Sequence, residues 1–285
     1  MPFSDIRGQD NAIGLLKGYI DLERLGSAYI FSGPSSVGKK LSAKIFAQAL
    51  NCNDGTGDAC GRCPSCVKIE NNQHPDVHII SGEGGLIRIE EVRRLQKDIS
   101  LKNYEGRFKV FIIDDAHNLT PEAANCLLKV LEEPPGESLI ILITDKVNLI
   151  FKTVISRCRM VKFRSIKRSE MEKYLRENYF LEPDQAHFIA YFSEGRFGRA
   201  GELKDADILR QKNSIIDKFM FSAESRSDIN ISEKKDFIFT LNVLFSWFRD
   251  IYLFKAGAGD SELINYDRRG EVMKLADQFS FGGIE

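Results

Sequence analysis

Residues 28–50 constrain the fold more tightly than any other stretch of the chain. Ala28-Tyr29-Ile30-Phe31-Ser32 reads as a short strand, and Leu41 to Leu50 is Ala-rich with helical apolar spacing. Between them lies Gly33-Pro34-Ser35-Ser36-Val37-Gly38-Lys39-Lys40. A glycine-rich turn with a G-x4-G-K core, set between a strand and a helix, is a phosphate-binding loop. Gly33 and Gly38 let the backbone curl so that successive N–H groups face phosphate oxygens, while Lys39 supplies a point charge. Lys40 breaks the pattern. Its position ordinarily carries a Ser or Thr whose neutral oxygen binds Mg²⁺, whereas an ammonium has no lone pair and repels the ion.

Further strands are expected at Asp76–Ile80, Lys109–Ile113 and Ser138–Ile143, each short and rich in apolar or β-branched residues. Helices are expected over 8–25, Ile89–Ile99 and, from the Thr120-Pro121 cap, through Ala124, Leu127, Leu128 and Leu131. Strands alternating with helices predict an α/β fold with a doubly wound parallel sheet for residues 1–163 and a ligand at the strands' carboxyl ends. Asp114, at the end of one such strand, is a candidate to order Mg²⁺. Asp115 stands where a glutamate would polarise the attacking water, and it is one methylene shorter, enough to cost on the order of a hundredfold in rate.

From about 166 the strand pattern stops. Helices are expected over Ser169–Tyr179, Pro183–Phe192, Arg199–Ala206, Ile215–Phe221, Lys235–Phe254 and Tyr266–Phe279, with the charged, Ser-rich stretch Ser222–Ser232 as a flexible connection. This divides the chain into an α/β domain at 1–163, a small helical domain at 164–207 and an all-helical part at 208–285. Whether that last part is complete at Glu285 is left open. Its aromatic stripe (Phe237, Leu241, Leu244, Phe248, Ile251, Tyr252) suits a core or a subunit interface.

Cys52, Cys60, Cys63 and Cys66 form C-x7-C-x2-C-x2-C, within an insert at 51–67 where Gly55, Gly57 and Gly61 supply tight turns. Such spacing aims four thiolates at one tetrahedral ion, and in a reducing compartment it reads as structural Zn²⁺, with redox-active or free thiols as the alternative. Four protein ligands leave no open position for catalysis. Cys126 and Cys158 stand apart in sequence and are expected to be small buried side chains.

Forty basic and forty-one acidic residues give a net charge of −1, which argues against wrapping nucleic acid through bulk charge. The opening Met1-Pro2-Phe3-Ser4-Asp5 lacks the parts of a signal peptide, and the longest apolar candidate, Phe237–Phe248, is interrupted by Thr240, Asn242 and Ser246. A soluble, cytoplasmic protein without a membrane partner is expected.

Several motifs at fixed spacing resemble the AAA+ clamp-loader subunits of bacterial DNA polymerase III. They are Phe3, Gly8-Gln9, the loop, the four cysteines after the loop helix, His74-Pro75-Asp76, the stretch from Ala124 to Pro135, Thr144 at the position called sensor 1, and Ser156-Arg157-Cys158. The resemblance covers roughly residues 3–200 and implies an AAA+ sheet domain with a zinc insert, a helical lid and a helical collar. It implies work in a hetero-oligomeric ring with gamma/tau and delta subunits, acting on a sliding clamp and primer-template DNA. Arg157 matches the arginine offered in trans to ATP on a neighbouring subunit, where it stabilises charge on the γ phosphate.

Within that family, Lys40, Asp115 and Gly198, the last standing where a motor subunit has its sensor 2 arginine, point to the delta-prime subunit over an ATP-hydrolysing gamma or tau. They put ATP and Mg²⁺ at the loop in question, and enzymatic activity of the chain by itself is left uncertain. An active gamma/tau-type ATPase and a zinc-stabilised DNA-binding module remain the other readings.

Overall fold

The computed structural model describes residues 1–55, 57–82, 84–221, 234–259 and 262–279. The expected connection at Ser222–Ser232 lies outside them. The chain divides into two compact units, Met1–Ser165 and Ile166–Glu285.

The first unit holds α1 (Asp10–Asp21), β1 (Ala28–Ser32), α2 (Lys39–Leu50), α3 (Pro64–Glu70), β2 (Val77–Ile80), α4 (Ile89–Ile99), β3 (Lys109–Ile113), α5 (Pro121–Glu132), β4 (Ser138–Thr144), α6 (Lys152–Ile155) and β5 (Arg159–Lys162). The strands form one parallel sheet in the order β2-β3-β4-β1-β5. Successive side chains of a strand point to opposite faces, and here both faces are covered. Tyr29, Phe31, Val110, Ile112 and Ile141 pack with α1, α2 and the cysteine insert. Ile30, Phe111, Ile113, Ile140 and Leu142 pack with α4, α5 and α6. That two-sided burial is why β1, β3 and β4 read as unbroken apolar runs.

In the first unit two elements depart from the sequence expectation. β5 was not foreseen: Arg159 and Lys162 are exposed and only Val161 is buried, so it is an edge strand defined by its pairing with β1. Within the insert, α3 begins at Pro64, whose fixed φ suits the first helical position, and Cys63 Sγ accepts the Cys66 N–H as its cap.

The second unit comprises α7 (Arg168–Tyr179), α8 (Pro183–Phe192), α9 (Phe197–Asp205), α10 (Ile208–Ile216), α11 (Lys234–Lys255) and α12 (Arg269–Gln278). The helix expected over Ile215–Phe221 is instead the end of α10 followed by a π turn, Asp217–Phe221. All six helices contribute to one core, with Trp247 fully buried beside Phe188, Ile189, Val243 and Ile251. The segment Phe237–Lys255 is long and apolar enough by length and composition to cross a membrane, which the interruptions in the sequence had argued against. In the structure it gives Val243, Trp247 and Ile251 to this core.

Candidate functional site at the phosphate-binding loop

The loop follows β1 directly. Gly33 has φ +152°, its N–H donates to the Thr144 carbonyl (3.2 Å), and a Cβ there would lie 2.3 Å from the Phe163 carbonyl oxygen, so no side chain fits. Gly38, at φ +96°, precedes the first residue of α2 and accepts the Ser42 N–H at 2.9 Å. Lys39 is buried and donates to the carbonyls of Gly33 (2.7 Å) and Pro34 (2.5 Å). Burial pushes its pKa below the usual lysine value, against the pull of Asp145, Asp114 and Asp115.

Lys40 points to the end of β3, where its Nζ lies 2.9 Å from Asp114 Oδ2. The carboxylate that would order Mg²⁺ thus already carries a cation supplied by the residue that replaces the metal-binding hydroxyl. Asp115 is exposed and sits in the left-handed region at φ +49°, its N–H on Asp114 Oδ1. Thr144, fully buried at the end of β4, accepts the Lys146 N–H (2.9 Å) and shares a hydrogen bond with His117 Nδ1 (3.2 Å).

Because β1, β4 and β3 are neighbours, their carboxyl ends bring Gly33, Gly38, Lys39, Lys40, Asp114, Asp115 and Thr144 together. Sequence reasoning missed His117 and Asp145, which join the same cluster: ligand atoms of Asp115, His117 and Asp145 all lie within 4.8 Å of one another. The sequence signal for them is slight, a histidine two residues past the Asp pair and an Asp directly after Thr144.

Arg157 makes its contacts elsewhere. Its Nη2 lies 2.7 Å from Glu132 Oε1, and its Nη1 donates to the Thr153 carbonyl (2.9 Å) and to Ser156 Oγ (3.2 Å). None of these partners belongs to the loop. In the second unit Gly198 is the second residue of α9, and Arg199 pairs with Glu194 at 3.3 Å.

The four cysteines come together as a metal centre requires. Their Sγ atoms all lie within 4.8 Å of one another, and Cys60 and Cys66 are 4.0 Å apart. A tetrahedral zinc with bonds of about 2.3 Å sets its sulfurs ~3.8 Å apart, so the cluster fits a metal ion. Backbone N–H groups of Cys63 and Cys66 point at Cys60 and Cys63 sulfur, contacts that favour thiolate, though at Cys60 burial and the neighbouring thiols outweigh them and leave its pKa raised. Burial raises the Cys63 thiol, but the N–H groups of Asn53 and Cys66 and the neighbouring thiols outweigh it and bring it to about 7. Burial pushes the Cys66 thiol up. Cys126 and Cys158 stand apart, each half-buried against the second face of the sheet.

Residues 8–167 match the family model described as DNA polymerase III, delta subunit. The chain is 34% identical over 182 residues to DNA polymerase III subunit delta' of Bacillus subtilis, covering 64% of this chain and 55% of that protein. It is 37% identical over 175 residues to subunit gamma of Buchnera aphidicola (61% and 48%) and 33% identical over 212 residues to subunit tau of Escherichia coli (72% and 33%). The chain thus spans about half or less of the length of the curated relatives it matches. In fold it is similar to the Thermotoga maritima RuvB Holliday junction branch migration motor, with a TM-score of 0.51 at 14% identity over 88% of this chain and 77% of that one. The parallel sheet with its loop at the end of β1, followed by a helical part, is the AAA+ architecture. The chain belongs to the DNA polymerase III delta-subunit family, the clamp-loader subunits of that bacterial polymerase.

Proposed function

We propose that this chain is a delta-prime-type subunit of the DNA polymerase III clamp loader. It assists ATP-dependent loading of the sliding clamp onto primed DNA in the cytoplasm, without hydrolysing ATP at its own loop. The observation that carries this reading is the 2.9 Å pair between Lys40 and Asp114, which turns the metal carboxylate to another use. Asp115, short and exposed, adds to it. On this reading residues 164–207 serve as the lid and 208–285 as the collar that joins gamma/tau and delta subunits in a ring. Zn²⁺ on Cys52, Cys60, Cys63 and Cys66 braces the insert.

Arg157 is then the chain's contribution to chemistry. Offered to ATP on a neighbouring subunit, a guanidinium can be worth ~10³ to 10⁵ in rate. A chain can therefore dispense with its own ATPase and still be needed for a neighbour's. An active gamma/tau-type motor is the second reading, favoured by the similar identity to gamma and tau subunits and by the retained Lys39, Asp114 and Thr144.

Purified chain assayed with ATP and Mg²⁺ separates the two. No turnover above a Lys39→Ala control is expected, and turnover abolished by that substitution would establish the motor instead. In a complex reconstituted with gamma/tau and delta partners, Arg157→Ala should lower ATPase at least tenfold.

A further inference from the structure

Glu132 closes α5 at the end where the helix dipole disfavours a carboxylate. Helix stability therefore gives no reason for an acid there. Its partner does. Glu132 Oε1 lies 2.7 Å from Arg157 Nη2, while Arg157 Nη1 turns back along its own chain to the Thr153 carbonyl and Ser156 Oγ. The guanidinium is thereby folded onto α6 with its charge neutralised from within the same chain. An arginine held this way cannot at the same time extend a bidentate fork toward a phosphate on another molecule.

We infer that Glu132 is a positioning residue that latches Arg157 in a retracted state, to be released when a neighbouring subunit presents a nucleotide γ phosphate. The inference rests on the reading of Arg157 as a finger acting in trans. The latch is weak by construction. Both side chains are substantially exposed, 35% for Arg157 and 51% for Glu132, and solvent screening keeps such pairs weak. A phosphate offers more charge and a bidentate geometry, so it displaces the carboxylate. Without a nucleotide next door, Glu132 keeps the cation from being spent on other anions.

The test uses the reconstituted clamp-loader complex with this chain as wild type, Glu132→Gln, Arg157→Ala and the double variant. Glu132→Gln preserves shape and removes the charge. It should raise kcat/KM for ATP hydrolysis about two- to fivefold at low salt, the fold-change that corresponds to a surface pair. The gain should shrink as salt screens the pair, and it should vanish in the Arg157→Ala background. A merely structural carboxylate would produce neither the salt dependence nor the dependence on Arg157. Unchanged or lowered kcat/KM in Glu132→Gln, with Arg157→Ala still impaired, overturns the latch and leaves the finger standing. A gain that persists in the double variant also overturns it. Arg157→Ala without effect removes the finger reading and the latch with it. If Glu132→Gln does not assemble, Glu132→Ala carries the same expectation.

Discussion

Lys40 and Asp114 form an ion pair of 2.9 Å that ties the second residue of α2 to the residue following β3. The two positions belong to the parts of a phosphate-binding site that normally share one Mg²⁺, a hydroxyl on the helix and a carboxylate on the strand. Here Lys40 occupies the helix position and its ammonium lies on the Asp114 carboxylate. The pair is partly exposed, 49% for Lys40 and 22% for Asp114, and so is worth only ~0–1 kcal/mol. Its consequence is chemical: a divalent ion would have to displace an ammonium and then sit beside it.

Replacing Lys40 by Thr should therefore restore a response to Mg²⁺. Calorimetric titration of ATP into Lys40→Thr is expected to show about tenfold tighter binding with Mg²⁺ than with EDTA, a difference of ~1.4 kcal/mol. The wild-type chain should show no such gain. Equal Mg²⁺ enhancement in both proteins would mean that Lys40 does not keep the ion out.

The two loop glycines should behave differently. Gly33→Ala drives a methyl to within 2.3 Å of the Phe163 carbonyl oxygen and should cost more than ~3 kcal/mol. Gly38→Ala meets open space and pays only for its φ of +96°, ~1–2 kcal/mol. Urea unfolding gives both values, and similar losses would refute the steric distinction.

Metal analysis of the purified chain should give one zinc per molecule. Cys66 is fully buried in the cluster, so Cys66→Ser should lose the metal and at least ~2 kcal/mol of stability, because binding and folding of such an insert are linked. A metal-free chain with an unchanged melting temperature would dismiss the site.

Acid should destabilise the fold in a way that depends on His74. The ring is fully buried, its Nδ1 accepts the Asp76 N–H at 3.1 Å, and Nε2 has no hydrogen-bond partner among the described residues. Burial holds its pKa below the ordinary value, against the pull of Glu105. The unfolded chain therefore takes up the proton first, and stability present above about pH 6.5 is lost as pH falls. Asp76 adds a loss at lower pH: burial raises its pKa, but three N–H donors from Glu105, Tyr104 and Gly106 outweigh it and hold the carboxyl down. Urea midpoints between pH 7 and 5 should fall more for the wild type than for His74→Asn, and parallel curves would refute the role of His74. Comparing the two proteins cancels acid release of metal from the thiolates.

Much of this was legible in the chain because the relevant physics is local or periodic. β1, β3 and β4 announce themselves as unbroken apolar runs, since a sheet covered on both faces needs every residue apolar. The glycines, Lys39 and Asp114 lie at the ends of those runs, and the cysteine spacing describes a closed turn by itself. β5 was not legible, because an edge strand with Val161 as its buried residue carries too little pattern and is defined by β1 beside it. His117 beside Thr144 and Glu132 beside Arg157 were hidden for the same reason.

By itself, then, the sequence determined the loop, the α/β architecture of the first unit and the spacing of the cysteine cluster. Only the tertiary structure decided which distant side chains meet. Lys40 and Asp114 are 74 positions apart, and Glu132 and Arg157 are 25 apart. Such partners meet because parallel strands bring their carboxyl ends to one edge and a helix end to a neighbouring turn, and no local pattern in the chain records distances of that kind.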